Sequence, residues 1–149
     1  MSGSMMMRSF GLAWVLLACA LALHVADEAL TNFLAVYNPT VRALRAKFPW
    51  LPVPVFTFKV WLTGLILGVV LMFSFSGFAF HGAPWLRPIA LVLALIMLAN
   101  GLSHIAGTIW GRKFLSAQFP RPMPGFYSSP FLIAASVYLL IQWKRISCP

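Results

Sequence analysis

The chain has 149 residues, of which 61% are hydrophobic and only 9% are charged, and its mean hydropathy is +0.89. Soluble domains carry about 25% charged residues, so this composition excludes an ordinary soluble domain and predicts an integral membrane protein. The net charge of +9 comes from basic residues in short loops and at helix ends. The positive-inside rule and anionic lipids account for such charges, so we predict membrane lipid, and no nucleic acid, as a partner.

Four apolar segments are long enough to cross a bilayer, which takes about 20 residues per helix. They predict a single all-α membrane domain, a four-transmembrane-helix bundle with spans at about 10–36, 55–80, 87–110 and 126–143. We expect Asn38 and Pro39 to end the first helix. The loop that follows, 39–54, mixes basic and aromatic residues and is typical of an interfacial segment.

The distribution of basic residues predicts an orientation in a bacterial inner membrane. Seven lie on the side of the first and third loops and four on the side of the termini. Under the positive-inside rule, the first and third loops are therefore expected to be cytoplasmic. The seven are Arg42, Arg45, Lys47, Lys59, Arg112, Lys113 and Arg121, and the four are Arg8, Arg87, Lys144 and Arg145.

All the acidic residues of the chain lie inside the first apolar segment. They are Asp27 and Glu28, three and four residues after His24. On a helix this spacing places both carboxylates on the face of the histidine. Ionisable groups within a membrane segment are costly and by default mark a functional site. We therefore predict that these two acids are catalytic.

The third segment carries a second polar pair at helical spacing, Asn100 and His104, with Ser103 beside them and Gly101 favouring close approach of another helix. At about 1.5 Å per residue, this pair and His24 all lie roughly 20–26 Å from the same membrane face. We therefore predict that the two polar pairs meet. The fourth segment begins at that depth with Tyr127 and Ser128, which we expect to reach the same pocket.

Three short motifs resemble those of the HXXEE family of small integral membrane proteins. HVADE at 24–28 is similar to its His-x-x-Glu-Glu motif, NGLSH at 100–104 to its Asn-x-x-x-His motif, and YSSP at 127–130 loosely to its Tyr-Ser-Pro-Gly motif. The chain has Asp27 where the family has its first Glu, and it lacks the Pro-Gly of the last motif. The resemblance covers nearly the whole chain and implies a polytopic membrane protein of undefined activity. His24 and Glu28 also match a His-x-x-x-Glu pair of the emopamil-binding-protein-like sterol isomerases.

These residues allow three interpretations. The first is a site for a divalent metal, zinc or iron, in an enzyme that acts on a lipid or another apolar substrate. The second is metal-free acid–base chemistry, as in a lipid isomerase or a proton relay. The third is a non-enzymatic membrane subunit, in a homo-oligomer or a larger complex, whose polar network orders helix packing. In the first interpretation the metal ligands are His24, Glu28 and His104, and the substrate-binding or supporting residues are Asn100, Ser103, Tyr127 and Ser128.

Overall fold

The computed structural model describes residues 3–111, 113–114, 117–118 and 120–147, with the backbone alone for 113–114 and 117–118. The fold is all-α apart from one small antiparallel hairpin, in which Lys113 pairs with Gln118 and Phe114 with Ala117. Arg112 and the side chain of Lys113, both used in the charge argument, lie outside the described residues. The elements are α1 (Gly3–Leu30), α2 (Leu34–Lys47), α3 (Phe58–Ser74), α4 (Ser76–Phe80), α5 (Leu86–Trp110), β1 (Lys113–Phe114), β2 (Ala117–Gln118) and α6 (Ser129–Ser147).

Helices α1 and α6 form the centre of the bundle. Helix α6 packs between α1 and α5, and α1 contacts α3 and α4 on its other side. The α5–α6 contact is close at Gly101, where an added Cβ atom would stand 2.8 Å from the Ile133 side chain and 3.2 Å from the backbone oxygen of Ser129. The close approach predicted at Gly101 is thus confirmed, and it draws the start of α6 against the polar stretch of α5.

The first predicted span is two helices rather than one. Helix α1 ends at Leu30, and the chain turns through Asn32, whose φ is +58°, before α2 begins at Leu34. The prediction that the helix stops at Pro39 was wrong, because α2 continues through this residue to Lys47. A tertiary contact supports the helix there: the Asn38 amide accepts a hydrogen bond from Phe56 N–H and donates one to its carbonyl oxygen.

Two other spans also differ from their predicted bounds. The segment 55–80 is divided at Phe75 into α3 and the short helix α4. The last helix begins at Ser129, three residues later than predicted, so Tyr127 and Ser128 lie in the turn that precedes it. Because Ser128 precedes α6, its backbone N–H has no partner within that helix and bonds to the Asp27 side chain instead.

Two of the described helices, α1 and α5, are long and apolar enough to cross a membrane, judged by length and composition. Helix α3 is apolar but has only 17 residues. Many large apolar side chains on α1, α3 and α5 are exposed, among them Leu16, Leu23, Leu67, Val70 and Val92. Exposed apolar area on this scale is characteristic of proteins that bind a membrane or another protein.

Candidate functional site

Three side chains from α1 and α5 form a buried group that we call the His/Glu cluster: His24, Glu28 and His104. Oxygen Oε1 of Glu28 lies 3.1 Å from Nε2 of His104 and 3.5 Å from Nε2 of His24. The two imidazole rings meet edge to face, with 4.8 Å between their centroids. The predicted meeting of the two helices at these residues is confirmed, and one carboxylate oxygen lies between both histidines.

The His/Glu cluster could hold a metal ion once its widest ligand pair, up to 4.8 Å apart, draws closer, since two ligands of one zinc ion stand at most about 4.2 Å apart. One ligand atom from each residue can be chosen so that all three lie within 4.8 Å of one another. Ligands at about 2.0–2.1 Å from a tetrahedral zinc ion stand roughly 3.3 Å apart. The two carboxylate–imidazole distances fall on either side of that value. Two imidazole nitrogens and a carboxylate oxygen also form a donor set that suits zinc or iron.

Hydrogen bonding assigns the tautomer of His24. The Ser128 hydroxyl lies 2.8 Å from Asp27 Oδ2 and 3.2 Å from the Gly125 carbonyl oxygen, both of which only accept hydrogen bonds. The single hydroxyl proton is therefore shared between these two oxygens and is not donated to His24. Nδ1 of His24, 2.8 Å from the same hydroxyl, must then be the donor. Neutral His24 consequently carries its lone pair on Nε2, the atom that faces Glu28.

The lone pair on His24 Nε2 accepts a hydrogen bond from the side chain of Asn100. Its Nδ2 lies 3.1 Å from His24 Nε2 and donates a hydrogen bond to it. Glu28 Oε1 cannot make a hydrogen bond to an unprotonated Nε2, so these two electron-rich atoms face each other at 3.5 Å. A metal ion on His24 Nε2 would take the place of the Asn100 N–H and would relieve this unfavourable contact.

The surroundings of His104 are less polar than those of His24. Among the described residues no hydrogen-bond partner reaches its buried Nδ1. The ring is confined instead by Phe33, whose ring centroid is 5.6 Å away, by the ring of His24, and by the backbone at Gly125. Packing and one contact, of Nε2 with Glu28 at 3.1 Å, therefore fix the orientation of this histidine, whereas hydrogen bonds at both ring nitrogens fix that of His24.

Gly125 is a part of the site that sequence reasoning missed. A Cβ atom there would stand 2.9 Å from Cε1 of each imidazole and 3.0 Å from Nδ1 of His104. The residue also has a φ of +82°, which side-chain-bearing residues rarely adopt. Its N–H bonds to the Thr31 hydroxyl at 3.3 Å. The Pro-Gly dipeptide at 124–125 signals a turn, but only the folded path of the chain brings this turn onto both histidines.

A small cavity of about 140 Å³ reaches His104. Tyr37, at its wall, donates a hydrogen bond to the carbonyl oxygen of Pro54 at 3.1 Å, and partial burial raises the pKa of its hydroxyl above the ordinary value. The phenol is therefore neutral and a donor at physiological pH. The cavity is lined by Phe33, Val36, Tyr37, Thr40, Asn100, Ser103, His104 and Met123.

Three predicted site residues lie around the His/Glu cluster rather than within it. Asp27 turns away from the histidines and accepts two hydrogen bonds from Ser128, each of 2.8 Å. Ser103 is exposed and donates to the backbone oxygen of Asn100. Tyr127 is 64% exposed and lines a different cavity, which it shares with Asp27 and Ser128.

No known protein family, curated protein or solved structure matches the chain.

Proposed function

We propose that this protein is an HXXEE-like, four-span membrane enzyme in which His24, Glu28 and His104 bind one divalent metal, zinc or iron, and which acts on a lipid or another apolar substrate. The observation that carries the proposal is the single carboxylate oxygen of Glu28 between two imidazole nitrogens, at 3.1 and 3.5 Å. Buried charges are retained in proteins when they are paired or coordinate metals. A cation between these donors would satisfy all three at once.

The hydrogen bond from His24 Nδ1 to Ser128 is of the kind that metal-binding histidines make. Ligating histidines almost always donate their second N–H to another group, which orients the ring and raises the basicity of the ligating nitrogen. His24 has such a partner in Ser128, which is itself bonded to Asp27. This arrangement favours metal binding over a role in packing alone, because it directs the lone pair of Nε2 toward Glu28.

The cavity beside His104 offers a route for a substrate. A metal ion supplies Lewis-acid polarisation of a carbonyl or phosphoryl oxygen when it is bound. Around it, Asn100 would be released from His24 and could donate to the substrate, and Ser103 lies at the same cavity. Glu28 and Asp27 are the carboxylates nearest to this chemistry, and Asp27 acts through Ser128 on the position of His24.

A four-span arrangement in a bacterial inner membrane agrees with the exposed apolar faces of α1, α3 and α5 and with the length and composition of α1 and α5. The basic residues Arg42, Arg45 and Lys47 are exposed on α2. We place α2 in the cytoplasmic interface, where anionic lipids attract such charges. Reporter fusions in α2 and at the C-terminus should then fall on opposite sides of the membrane, and the same side for both would contradict the four-span topology.

Elemental analysis of the purified protein tests the metal. We expect about one zinc or iron per chain, lost in His24→Ala and in His104→Ala, because each removes one of only three protein ligands. His81→Ala is the matched control, since His81 is exposed and its Nδ1 lies 2.7 Å from the Gly77 carbonyl oxygen, away from the cluster. A metal-free protein whose His24→Ala/His104→Ala double variant unfolds at the wild-type temperature would contradict the proposal.

A further inference from the structure

A second feature of the surface, distinct from the His/Glu cluster, is a long apolar depression between α1 and α6, which we call the α1/α6 groove. Two cavities of about 400 and 350 Å³ form it, and they adjoin each other, since Leu23 and Phe131 line both. On α1 its lining residues recur at helical spacing from Leu16 to Leu30, which corresponds to a length of about 21 Å. This is long enough for an extended alkyl chain.

Side-chain size explains why a groove exists at this contact. Three of the residues that line it are alanines, Ala20 on α1 and Ala134 and Ala135 on α6, whose small side chains leave space between the helices. Each cavity lies within the roughly 300–1,000 Å³ typical of small-molecule sites.

The polarity of the α1/α6 groove changes along its length. Both parts are lined mostly by apolar atoms, but a charged side chain, Asp27, and its partner Ser128 line only the end near Leu30. Oδ2 of Asp27 is taken by Ser128, but no hydrogen bond from the described residues reaches Oδ1. Asp27 is only half-buried, so this oxygen is available to a ligand.

We infer that the α1/α6 groove binds a membrane lipid with one long alkyl chain and an uncharged, hydroxyl-bearing head group. The chain lies along Leu16–Leu23, and a hydroxyl of the head donates to Oδ1 of Asp27. The polar end of the groove lies toward α2, so a lipid in it has its head at the interface. The inference rests on the membrane placement proposed above but not on metal binding.

Asp27 disfavours an anionic head group. A phosphate or carboxylate head would bring a second negative charge against this carboxylate, and like charges repel strongly where water is scarce. A hydroxyl instead makes a charge-assisted hydrogen bond. Asp27 also accepts a hydrogen bond from Ser128, and Ser128 accepts one from His24. The bound head group is therefore linked through two side chains to the His/Glu cluster.

Photo-crosslinking tests the inference. The probe is monooleoylglycerol with a diazirine in its chain, at low abundance in phosphatidylcholine nanodiscs that hold the full chain. We expect labelled peptides from α1 and α6 to exceed those from the exposed face of α5 by about tenfold. Unlabelled monooleoylglycerol should compete, whereas its phosphate ester should compete about tenfold less well, as expected from repulsion between its phosphate and Asp27. Labelling spread evenly over the exposed helix faces would overturn the inference.

Three variants complete the experiment, each checked by thermal unfolding. Ala135→Phe fills the groove floor and should abolish the enrichment, while Ala99→Phe, the same change on an exposed position of α5, should leave it intact. Asp27→Asn should let the phosphate ester compete as well as monooleoylglycerol, because the repelling charge is gone. If Ala135→Phe does not fold, the comparison of the two competing lipids in the wild-type protein and in Asp27→Asn is sufficient to test the inference. Equal competition by both lipids in the wild-type protein would also overturn the inference.

Discussion

The two histidines of the His/Glu cluster are held by different forces. Both nitrogens of His24 are hydrogen-bonded, one to Ser128 and one to Asn100, whereas the Nδ1 atom of His104 has no partner among the described residues. His104 is oriented at Nε2 by Glu28, 3.1 Å away, and otherwise by ring contacts and by the backbone at Gly125. Substitutions of polar groups should therefore act through His24, and changes in packing should act mainly through His104.

The largest effect is expected from Gly125→Ala, because this residue contacts both halves of the cluster. The added methyl group would collide with both imidazoles, and a φ of +82° adds backbone strain of roughly 1–3 kcal/mol. We expect loss of bound metal and a lower free energy of unfolding, measured by elemental analysis and thermal unfolding.

Gly82→Ala is the matched control for this change. Gly82 also has a positive φ, of +64°, but an added Cβ there meets the ends of the Met7 and Ile146 side chains and no part of the cluster. Gly82→Ala should lower the free energy of unfolding by a similar amount of backbone strain and leave the metal content unchanged. Equal metal loss in both variants would mean that Gly125 acts through global stability and not through the histidines.

Ser128→Ala should have the next largest effect. It removes the acceptor for His24 Nδ1–H and frees the ring to adopt the other tautomer. Loss of such supporting hydrogen bonds typically weakens metal binding about 10–100-fold, which a zinc titration of the metal-free protein would measure. Ser103→Ala, the same change at an exposed serine, should bind like the wild type. Wild-type affinity in Ser128→Ala would show that the hydrogen bond does not control His24.

A smaller effect is expected from Phe33→Leu, which keeps an apolar side chain beside His104 but removes the ring contact. Aromatic pairs contribute about 0.5–1.5 kcal/mol beyond buried area, so zinc affinity should fall about two- to tenfold. The same titration measures it. A loss greater than that of Ser128→Ala would reverse the proposed difference between the two histidines.

Helical periodicity was sufficient to predict the centre of the site. The i,i+4 pairs His24–Glu28 and Asn100–His104 each lie on one helix face, and equal depth along two long helices correctly predicted that they meet. Asp27 could not be placed in this way. Its partner is Ser128, whose position depends on α6 starting at Ser129, and helix ends are weakly encoded by periodicity.

Features that depend on tertiary contacts could not be predicted from the sequence. Pro39 is a sound helix-stop signal in isolation, but the pairing of the Asn38 side chain with the Phe56 backbone stabilises a helix that continues through it. Gly125 is similar, because its contact with both histidines arises from the path of the chain between α5 and α6. Local signals mark Pro39 as a helix stop and the Pro-Gly dipeptide at 124–125 as a turn, but they carry no information on what these residues contact.

The central claim is that His24, Glu28 and His104 form one metal site with Glu28 as the shared ligand. Titration of metal-free protein with zinc, and in parallel with ferrous iron, tests it most directly when wild type and Glu28→Gln are compared. Glu28→Gln preserves size but removes the negative charge. The account predicts one tightly bound equivalent in the wild type and binding at least about 100-fold weaker in Glu28→Gln, as for a removed ligand. Equal affinity in the two proteins, or no binding to the wild type, would contradict it.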